Sequence, residues 1–447
     1  MPNSSMSFVD AAWLAMEDPR NLMMVTGVLI LDGRPDPDRL RSMFEERLLR
    51  FDRFRQRIER PPLGLGMPSW RDDERFDLNL HMHRVALPEP ADKEALETLV
   101  SDLLSTPLDL TKSPWQIHVV EYGPDTVLVA RLHHSIADGI ALMRVLLSLT
   151  DTSARPDRRR KMKDEKEKAA TADPWRRAGE WLWTMGSDLA REPARVLASS
   201  AGVGAGAAAT LAQLAMLPED PPSVLKGPLG VAKRAVWSDP LPLPEIKKAG
   251  KRHGATVNDI LLSAVAGGLR RYLLERRALE DGLEVRATVP VNLRPPDASP
   301  ELGNRFGLVF LPLPLGIEDP LQRLREMHLR ATDLKSSMQP IVAFGVLHAL
   351  GMLPGLARDR AISFFGSKAT AVITNVPGPQ KRLYMAGRPL RQVLFWVPQA
   401  GRLGLGISML SYANEVVVGV AADVGLVPDP ERMVAAFHDE LEQLLAL

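Results

Sequence analysis

The sequence predicts a mixed α/β chain built in two halves, and three observations predict it. Strand-like and helix-like segments alternate over residues 1 to about 150 and again from about Gly230 to the end. At 447 residues the chain exceeds what one hydrophobic core usually serves. Composition breaks at Arg155–Lys168 (RPDRRRKMKDEKEK), which holds eight basic and four acidic residues, with Met162 its only sizeable apolar side chain. Such a run stays solvated and reads as a linker. The expected division is a first half over 1–153, a charged then helical linker over 154–225, and a second half over 226–447.

In chain order, Met24–Leu31 is a continuous apolar strand candidate, and Asp36-Pro37-Asp38 opens a helix expected to run through Leu49. Trp115–Tyr122 and Thr126–Leu132 read as paired strands joined by the turn residues Gly123-Pro124-Asp125. A helix follows from Gly139 to about Thr150. The linker continues as a helical stretch from Pro174 to about Leu217, with Trp175, Trp181 and Trp183 close together. Its uncharged part, Val196–Leu217, approaches the length of a membrane span but is dominated by Gly, Ala and Ser, which add little insertion energy. Two readings stand for it: a plain interdomain helix, or a connector lying at a membrane surface. The second half opens on an amphipathic helix over Asn258–Arg276. Strands are expected at Glu284–Val291, Leu308–Leu313, Ala371–Thr374, Arg391–Trp396, Gly404–Leu410 and Glu415–Ala421, with a closing helix over Pro430–Leu447. No repeat of 20–50 residues is visible.

Composition narrows the chemistry. An apolar fraction of 45% with 25% charged residues describes a soluble globular chain. A net charge of +1 gives no electrostatic case for nucleic acid. The absence of cysteine excludes disulfides, thiolate nucleophiles and Cys-ligated metals. The first twenty residues carry acids early and lack a basic segment ahead of a long apolar core, so no signal peptide is expected. There is no GxSxG elbow and no Walker A loop, and Gly202, Gly204 and Gly206 form a GxGxG with no strand before it.

The richest motif is His133-His134-Ser135-Ile136-Ala137-Asp138-Gly139, an HHxxxDG at a strand-to-helix turn. Neighbouring side chains on a strand face opposite ways, so one histidine can face a cavity while the other faces packing. Imidazole, with an unperturbed pKa of ~6.5, suits general-base work at neutral pH. The plainer reading is two polar residues at a loop followed by a common Asp-Gly turn. A metal site is disfavoured, because adjacent histidines on a strand diverge and no HExxH accompanies them.

Thr256-Val257-Asn258-Asp259 fits a capping box ahead of the second-half helix. Capping accounts for Thr256 and Asp259 and leaves Asn258 free to donate to a substrate carbonyl. Arg294, in Pro290-Val291-Asn292-Leu293-Arg294-Pro295, can pair with a buried acid such as Asp138 or stand as a surface arginine. Leu302-Gly303-Asn304 and Thr374-Asn375-Val376-Pro377-Gly378-Pro379 are turn-rich segments beside strands.

Taken in order, these segments resemble the bacterial wax ester synthase/acyl-CoA:diacylglycerol acyltransferase family. That family belongs to the CoA-dependent acyltransferase superfamily, with chloramphenicol acetyltransferase and peptide-synthetase condensation domains. The resemblance covers nearly the whole chain: Met6-Ser7-Phe8 and Asp10, Phe76-Asp77-Leu78 with His81, Pro107-Leu108-Asp109, the HHxxxDG, Leu225–Gly230, Val257-Asn258-Asp259, and the segments at Arg294, Gly303-Asn304 and Thr374–Pro379. One departure is Ser113-Pro114-Trp115, where the family usually has Pro-Leu-Trp; the segment reads as structural.

The resemblance implies two chloramphenicol-acetyltransferase-like domains joined by a helical linker. It implies transfer of a fatty acyl group from acyl-CoA, a co-substrate needing no further cofactor, to a fatty alcohol or diacylglycerol. By the same resemblance His134 is the general base, His133 and Asp138 hold its loop, Arg294 is the partner of Asp138, and Gly139 leaves room for a tunnel. With no cysteine and no serine elbow, direct transfer is expected rather than an acyl-enzyme. Asn258, with Asp259 and Arg294 as supporting residues, is the candidate oxyanion donor. The apolar stretch Ile341–Ala357 is either a core helix or the acceptor-side lining, with Gly345 and Ala349 as pocket candidates. Substrate chemistry and the basic run Arg155–Lys163 point to a cytoplasmic protein peripherally attached to the inner membrane or to lipid inclusions. The alternatives are an acyltransferase of the same superfamily acting on another hydroxyl or amine, and a non-catalytic lipid-binding protein of the same fold.

Overall fold

A computed structural model describes residues 4–61, 66–154, 209–294, 302–353 and 355–447. The charged run Arg155–Lys168, the three linker tryptophans and the Gly202-Gly204-Gly206 triplet lie outside the described residues. The linker re-enters as a helix over 209–216.

Two mixed sheets carry the fold. The first has six strands in the order Tyr384–Met385, Arg388–Trp396, Met24–Leu31, Asp125–His133, Trp115–Tyr122 and Met82–Ala86. Its centre is the hairpin of Trp115–Tyr122 and Asp125–His133, which turns at Gly123 with φ of 55°. Positive φ is cheap only for a residue without Cβ. Arg388–Trp396 comes from the second half of the sequence and pairs antiparallel with Met24–Leu31, Val393 opposite Leu29. Apolar patterning locates this strand but carries nothing about its partner, so its crossing to the first sheet was not foreseen.

The second sheet has seven strands, with Phe306–Leu313, Val285–Asn292, Ala371–Pro377, Leu405–Tyr412, Glu415–Asp423 and Lys233–Trp237 in line and Leu241–Pro242 pairing off Glu415–Asp423. Its central pairings, Val285–Asn292 to Ala371–Pro377 and Ala371–Pro377 to Leu405–Tyr412, are parallel. Parallel pairs need long crossovers; helices Pro320–Ser336, Gln339–Met352 and Gly355–Gly366 supply the first of them.

The helix expected over Asn258–Arg276 runs Val257–Glu275 but is not amphipathic in its setting: every residue from Asn258 to Leu269 is buried. Helices Leu243–His253, Pro320–Ser336 and Pro430–Ala446 pack around it. A helix covered on all sides has no polar face to keep. Gly267 and Gly268 allow the closest approach, since a Cβ on Gly268 would lie 2.9 Å from the main-chain nitrogen of Phe437. Expected Asp36–Leu49 divides into an α-helix Pro37–Met43 and a π-turn Phe44–Leu48. The two sheets meet through an apolar seam of Val28, Val127, Val129, Trp237, Trp396 and Val417. The C-terminal end of the Asp125–His133 strand therefore lies between the halves.

Candidate active site

The HHxxxDG begins where the Asp125–His133 strand ends. His134 N donates to Met23 O at 2.7 Å and His133 N to Pro114 O at 2.9 Å, so the motif is pinned by chain on both sides. Pro114 belongs to Ser113-Pro114-Trp115, whose role is structural here. Trp115 donates its indole N–H to Phe54 O at 2.9 Å and stacks on His81 at 4.6 Å.

The two histidines then lie in different surroundings. His133 is fully buried; its Nδ1 accepts the main-chain N–H of Ser135 at 3.1 Å and lies 2.7 Å from Ser135 Oγ. A main-chain N–H only donates, so neutral His133 carries its proton on Nε2. That nitrogen faces Glu17 Oε2 at 3.5 Å, and the same oxygen accepts Met23 N at 2.6 Å.

His134 is 3% exposed and its Nδ1 is buried. The Trp13 indole covers the imidazole with centroids 4.2 Å apart, and Phe306 meets it edge-on at 5.7 Å. Burial pushes its pKa down to about 4; the charge of Asp138 opposes the shift, His133 adds to it, and its own carbonyl and Asn304 oppose it. At neutral pH this imidazole is uncharged and able to accept a proton.

Asp138 does two things at once. Its Oδ1 accepts Ala141 N at 3.0 Å and caps the helix Gly139–Ser148. Its Oδ2 accepts Arg294 Nη1 at 2.5 Å and Arg305 N at 2.9 Å. Arg294 Nη2 also donates to Gly303 O at 2.5 Å. Arg294 thus comes from the second half to close the loop of the first, and both partners are buried.

The next two residues complete the clamp. Gly303 has φ of 114°, a conformation that favours glycine. Asn304 Nδ2 donates to His134 O at 2.8 Å and to Asp10 Oδ1 at 2.7 Å. Burial raises the Asp10 pKa above the usual carboxylate value, with hydrogen bonds donated by Asn304 and Ser7 opposing. Asp10 sits on helix Phe8–Ala15, the helix that also presents Trp13.

The remaining candidates are more distant in their bonding. Asn258 is buried and its Oδ1 accepts Asn375 Nδ2 at 3.1 Å, which joins two segments that the sequence offered separately. Thr256 and Asp259 form the capping box, and Asp259 Oδ2 also lies 2.7 Å from His328 Nδ1. No side-chain hydrogen bond among the described residues links Asn258 or Asp259 to His134. A Cβ built on Gly139 meets nothing within 4 Å, so the space beside the HHxxxDG turn is open. Gly345 and Ala349 lie on the exposed side of helix Gln339–Met352, opposite the buried Val342, Leu347 and Leu350. It is Gly351 of this helix that meets the N-terminal helix, at the carbonyl of Phe8. Among the described residues no group of three His, Cys, Asp or Glu is placed to hold a metal ion.

Trp13, Glu17 and Phe306 were not singled out from sequence. Aromatic and acidic residues are common on helices and loops, and only the fold brings these three to the histidines.

The catalytic-domain model of the wax ester synthase/diacylglycerol acyltransferase family matches residues 6–261, and that of the WS/DGAT C-terminal domain matches residues 302–445. A protein described as probable diacyglycerol O-acyltransferase tgs1 of Mycobacterium tuberculosis is 30% identical, over 98% of this chain and 95% of that protein. The putative diacyglycerol O-acyltransferase Mb3154c of Mycobacterium bovis is equally similar, at 30% over the same shares. The wax ester synthase/diacylglycerol acyltransferase of Marinobacter aquaeolei VT8 superposes with a TM-score of 0.70 at 22% identity, covering 99% of this chain and 100% of that one. The first condensation domain of the calcium-dependent antibiotic synthetase gives 0.63 at 16% identity, covering 99% and 96%. The architecture expected from sequence, two chloramphenicol-acetyltransferase-like halves, is the fold shared with both structures.

Proposed function

Because the chain belongs to the wax ester synthase/diacylglycerol acyltransferase family and is an acyl-CoA-dependent O-acyltransferase, we propose that it moves a long-chain fatty acyl group directly to the hydroxyl of a fatty alcohol or diacylglycerol, with His134 as general base. One observation carries this reading: His134 is a neutral, desolvated imidazole at the seam of the two halves, held by groups from both. In the proposed step His134 takes the hydroxyl proton as the alcohol oxygen bonds to the thioester carbonyl carbon. The C–S bond then breaks, and the imidazolium returns the proton to the CoA thiolate. No cysteine is present to form an acyl-enzyme. His133, with Ser135 and Glu17, fixes the strand end; Asp138 and Arg294 fix the turn. Asn258 is the proposed donor to the oxyanion, supported by its burial and its tie to Asn375.

The acceptor chain is proposed to run along helix Gln339–Met352, where the open space beside Gly345 supports room for it. Peripheral attachment to a membrane or lipid inclusion follows from the chemistry of acceptor and product, both of which partition into lipid. It is supported by the exposed apolar residues Leu356 and Phe364, which line one surface depression with the charged Glu219, Asp359, Arg360 and Arg402. No described helix is long and apolar enough to cross a membrane.

The test is incubation with palmitoyl-CoA and either hexadecanol or diacylglycerol, following free CoA. Release that depends on the acceptor is expected, and His134→Ala should lower it roughly 10²–10⁴-fold. No release with any lipid alcohol overturns the function; a full rate in His134→Ala overturns the mechanism.

A further inference from the structure

A base that burial makes reluctant to carry charge must still become an imidazolium during the proposed reaction. In many hydrolases a carboxylate bonded to the second ring nitrogen stabilises that cation. Here no carboxylate bonds the His134 ring, whose own carbonyl and Asn304 are the polar groups beside it, and Asp138, the acid of the motif, spends its oxygens on Ala141 N, Arg294 and Arg305 N. What covers the face of the ring is the indole of Trp13, tilted 31° with centroids 4.2 Å apart. That lies well inside the ~6 Å within which an aromatic face attracts a cation, and tryptophan offers the strongest such face. Phe306 touches both rings, at 5.7 Å from His134 and 5.9 Å from Trp13, and so holds the stack in register.

The geometry points to Trp13 as a group that stabilises the His134 imidazolium, its π face lying over the ring while no carboxylate bonds the ring edge. The inference rests on His134 being the base. Its energetic logic is differential: the indole gains little against neutral imidazole and more against the cation that forms as the hydroxyl proton transfers. A desolvated setting enlarges the effect. Trp13 is a positioning residue in this sense, acting through His134 rather than on substrate.

Other groups bear on the same ring. Asp138 favours the cation and His133 disfavours it. From the N-terminal helix, Asp10 reaches the site through Asn304, which bonds the His134 carbonyl. Glu17 stands behind His133, and Arg294 and Arg305 N engage Asp138. A substitution at Trp13 leaves all of these in place.

The chain has eight tryptophans, so the test replaces Trp13 alone, by site-specific incorporation of mono-, di- and trifluorinated tryptophan. Fluorination keeps the shape and the exclusion of water while weakening the π face. Trp13→Phe and Trp13→Leu extend the series. Three quantities are read: kcat, KM for palmitoyl-CoA, and the His134 pKa from its Cε1–H signal, assigned by its loss in His134→Gln. The expected result is a stepwise fall in kcat and in the His134 pKa with each fluorine, with KM unchanged. From Trp13 to Leu the loss should reach roughly threefold to thirtyfold in kcat, the range of a cation–π contact at about 1.36 kcal/mol per tenfold.

Unchanged kcat and pKa across the fluorinated series overturns the inference. So does a His134 pKa that rises toward the ordinary ~6.5 in Trp13→Leu, since Trp13 would then only exclude water. The fluorinated proteins keep the test decisive if Trp13→Leu does not fold. The pKa readout needs no turnover, so it separates this inference from the general-base reading. If His134→Ala keeps full rate, that reading fails by itself.

Discussion

The ion pair between Asp138 and Arg294 makes a quantitative prediction about how the halves are joined. Arg294 Nη1 bonds Asp138 Oδ2 at 2.5 Å, and the two residues are 3% and 4% exposed. An asparagine at 138 that keeps the helix cap must turn its NH2 toward Arg294 and Arg305 N, donor against donor. It also leaves the guanidinium without its carboxylate. Removing one partner of a buried pair costs about 3–5 kcal/mol. Arg294→Met leaves a buried carboxylate that still accepts Ala141 N and Arg305 N, so its cost falls at the low end, about 3 kcal/mol. Were the two effects independent, the double variant would lose roughly 6–8 kcal/mol. It loses instead one shared ion pair, with the Arg294 bond to Gly303 O, and takes away the Asp138 oxygen to which the Arg305 main chain donates, which costs about 1–3 kcal/mol beyond the lost packing. The double variant should therefore lie close to either single one, with a coupling of about 3 kcal/mol. Urea unfolding of wild type, both single variants and the double variant measures this. Losses that add within ~0.5 kcal/mol would refute the account of Asp138 and Arg294 as a mutually dependent buried pair.

The acid limb of kcat/KM should fall near pH 4, following His134, rather than near ~6.5; a limb at the ordinary imidazole value would show that His134 is not the titrating base. For stability the sign is that of a depressed histidine. The unfolded chain binds the extra proton between ~6.5 and about 4, so this contribution is full above ~6.5 and is lost as pH falls through that window. Asn304→Ala removes the amide that joins the Asp10 carboxylate to the His134 carbonyl; about 1–3 kcal/mol of stability should go with it, and kcat should drop more than the folded fraction does. Gly351→Ala drives a methyl into the Phe8 carbonyl and should cost about 1–3 kcal/mol. Gly345→Ala, with open space beside it, should be neutral or stabilising by up to ~1 kcal/mol, and thermal unfolding of both glycine variants checks this. Gly345→Phe or Ala349→Phe should shift the preferred alcohol chain length, read from competition between short and long alcohols; unchanged preference in folded protein removes the proposed acceptor path.

How much of this was legible in one sequence depended on whether the physics was local. The Asp125–His133 strand, the turn and the Gly139–Ser148 helix follow from apolar runs, a cap and a glycine, all within a few residues of one another. The Thr256–Asp259 capping box is legible for the same reason. Asp138 and Arg294 were named as a pair because opposite charges in rigid settings suggest one another, but nothing in the spacing required them to meet. Glu17 and Trp13 had no such signal. Glu17 acquires its role from Met23 N and His133, Trp13 from the packing of helix Phe8–Ala15 against Gln339–Met352. The second-half strand Arg388–Trp396 shows the same limit at the level of the fold, since its side chains suit either sheet and topology alone sends it to the first. Residues that bind through main-chain partners or through ring faces leave no charge pattern to find. The site is therefore marked in the sequence by its histidines, while the burial and ring contacts that bear on the His134 charge are made only by folding.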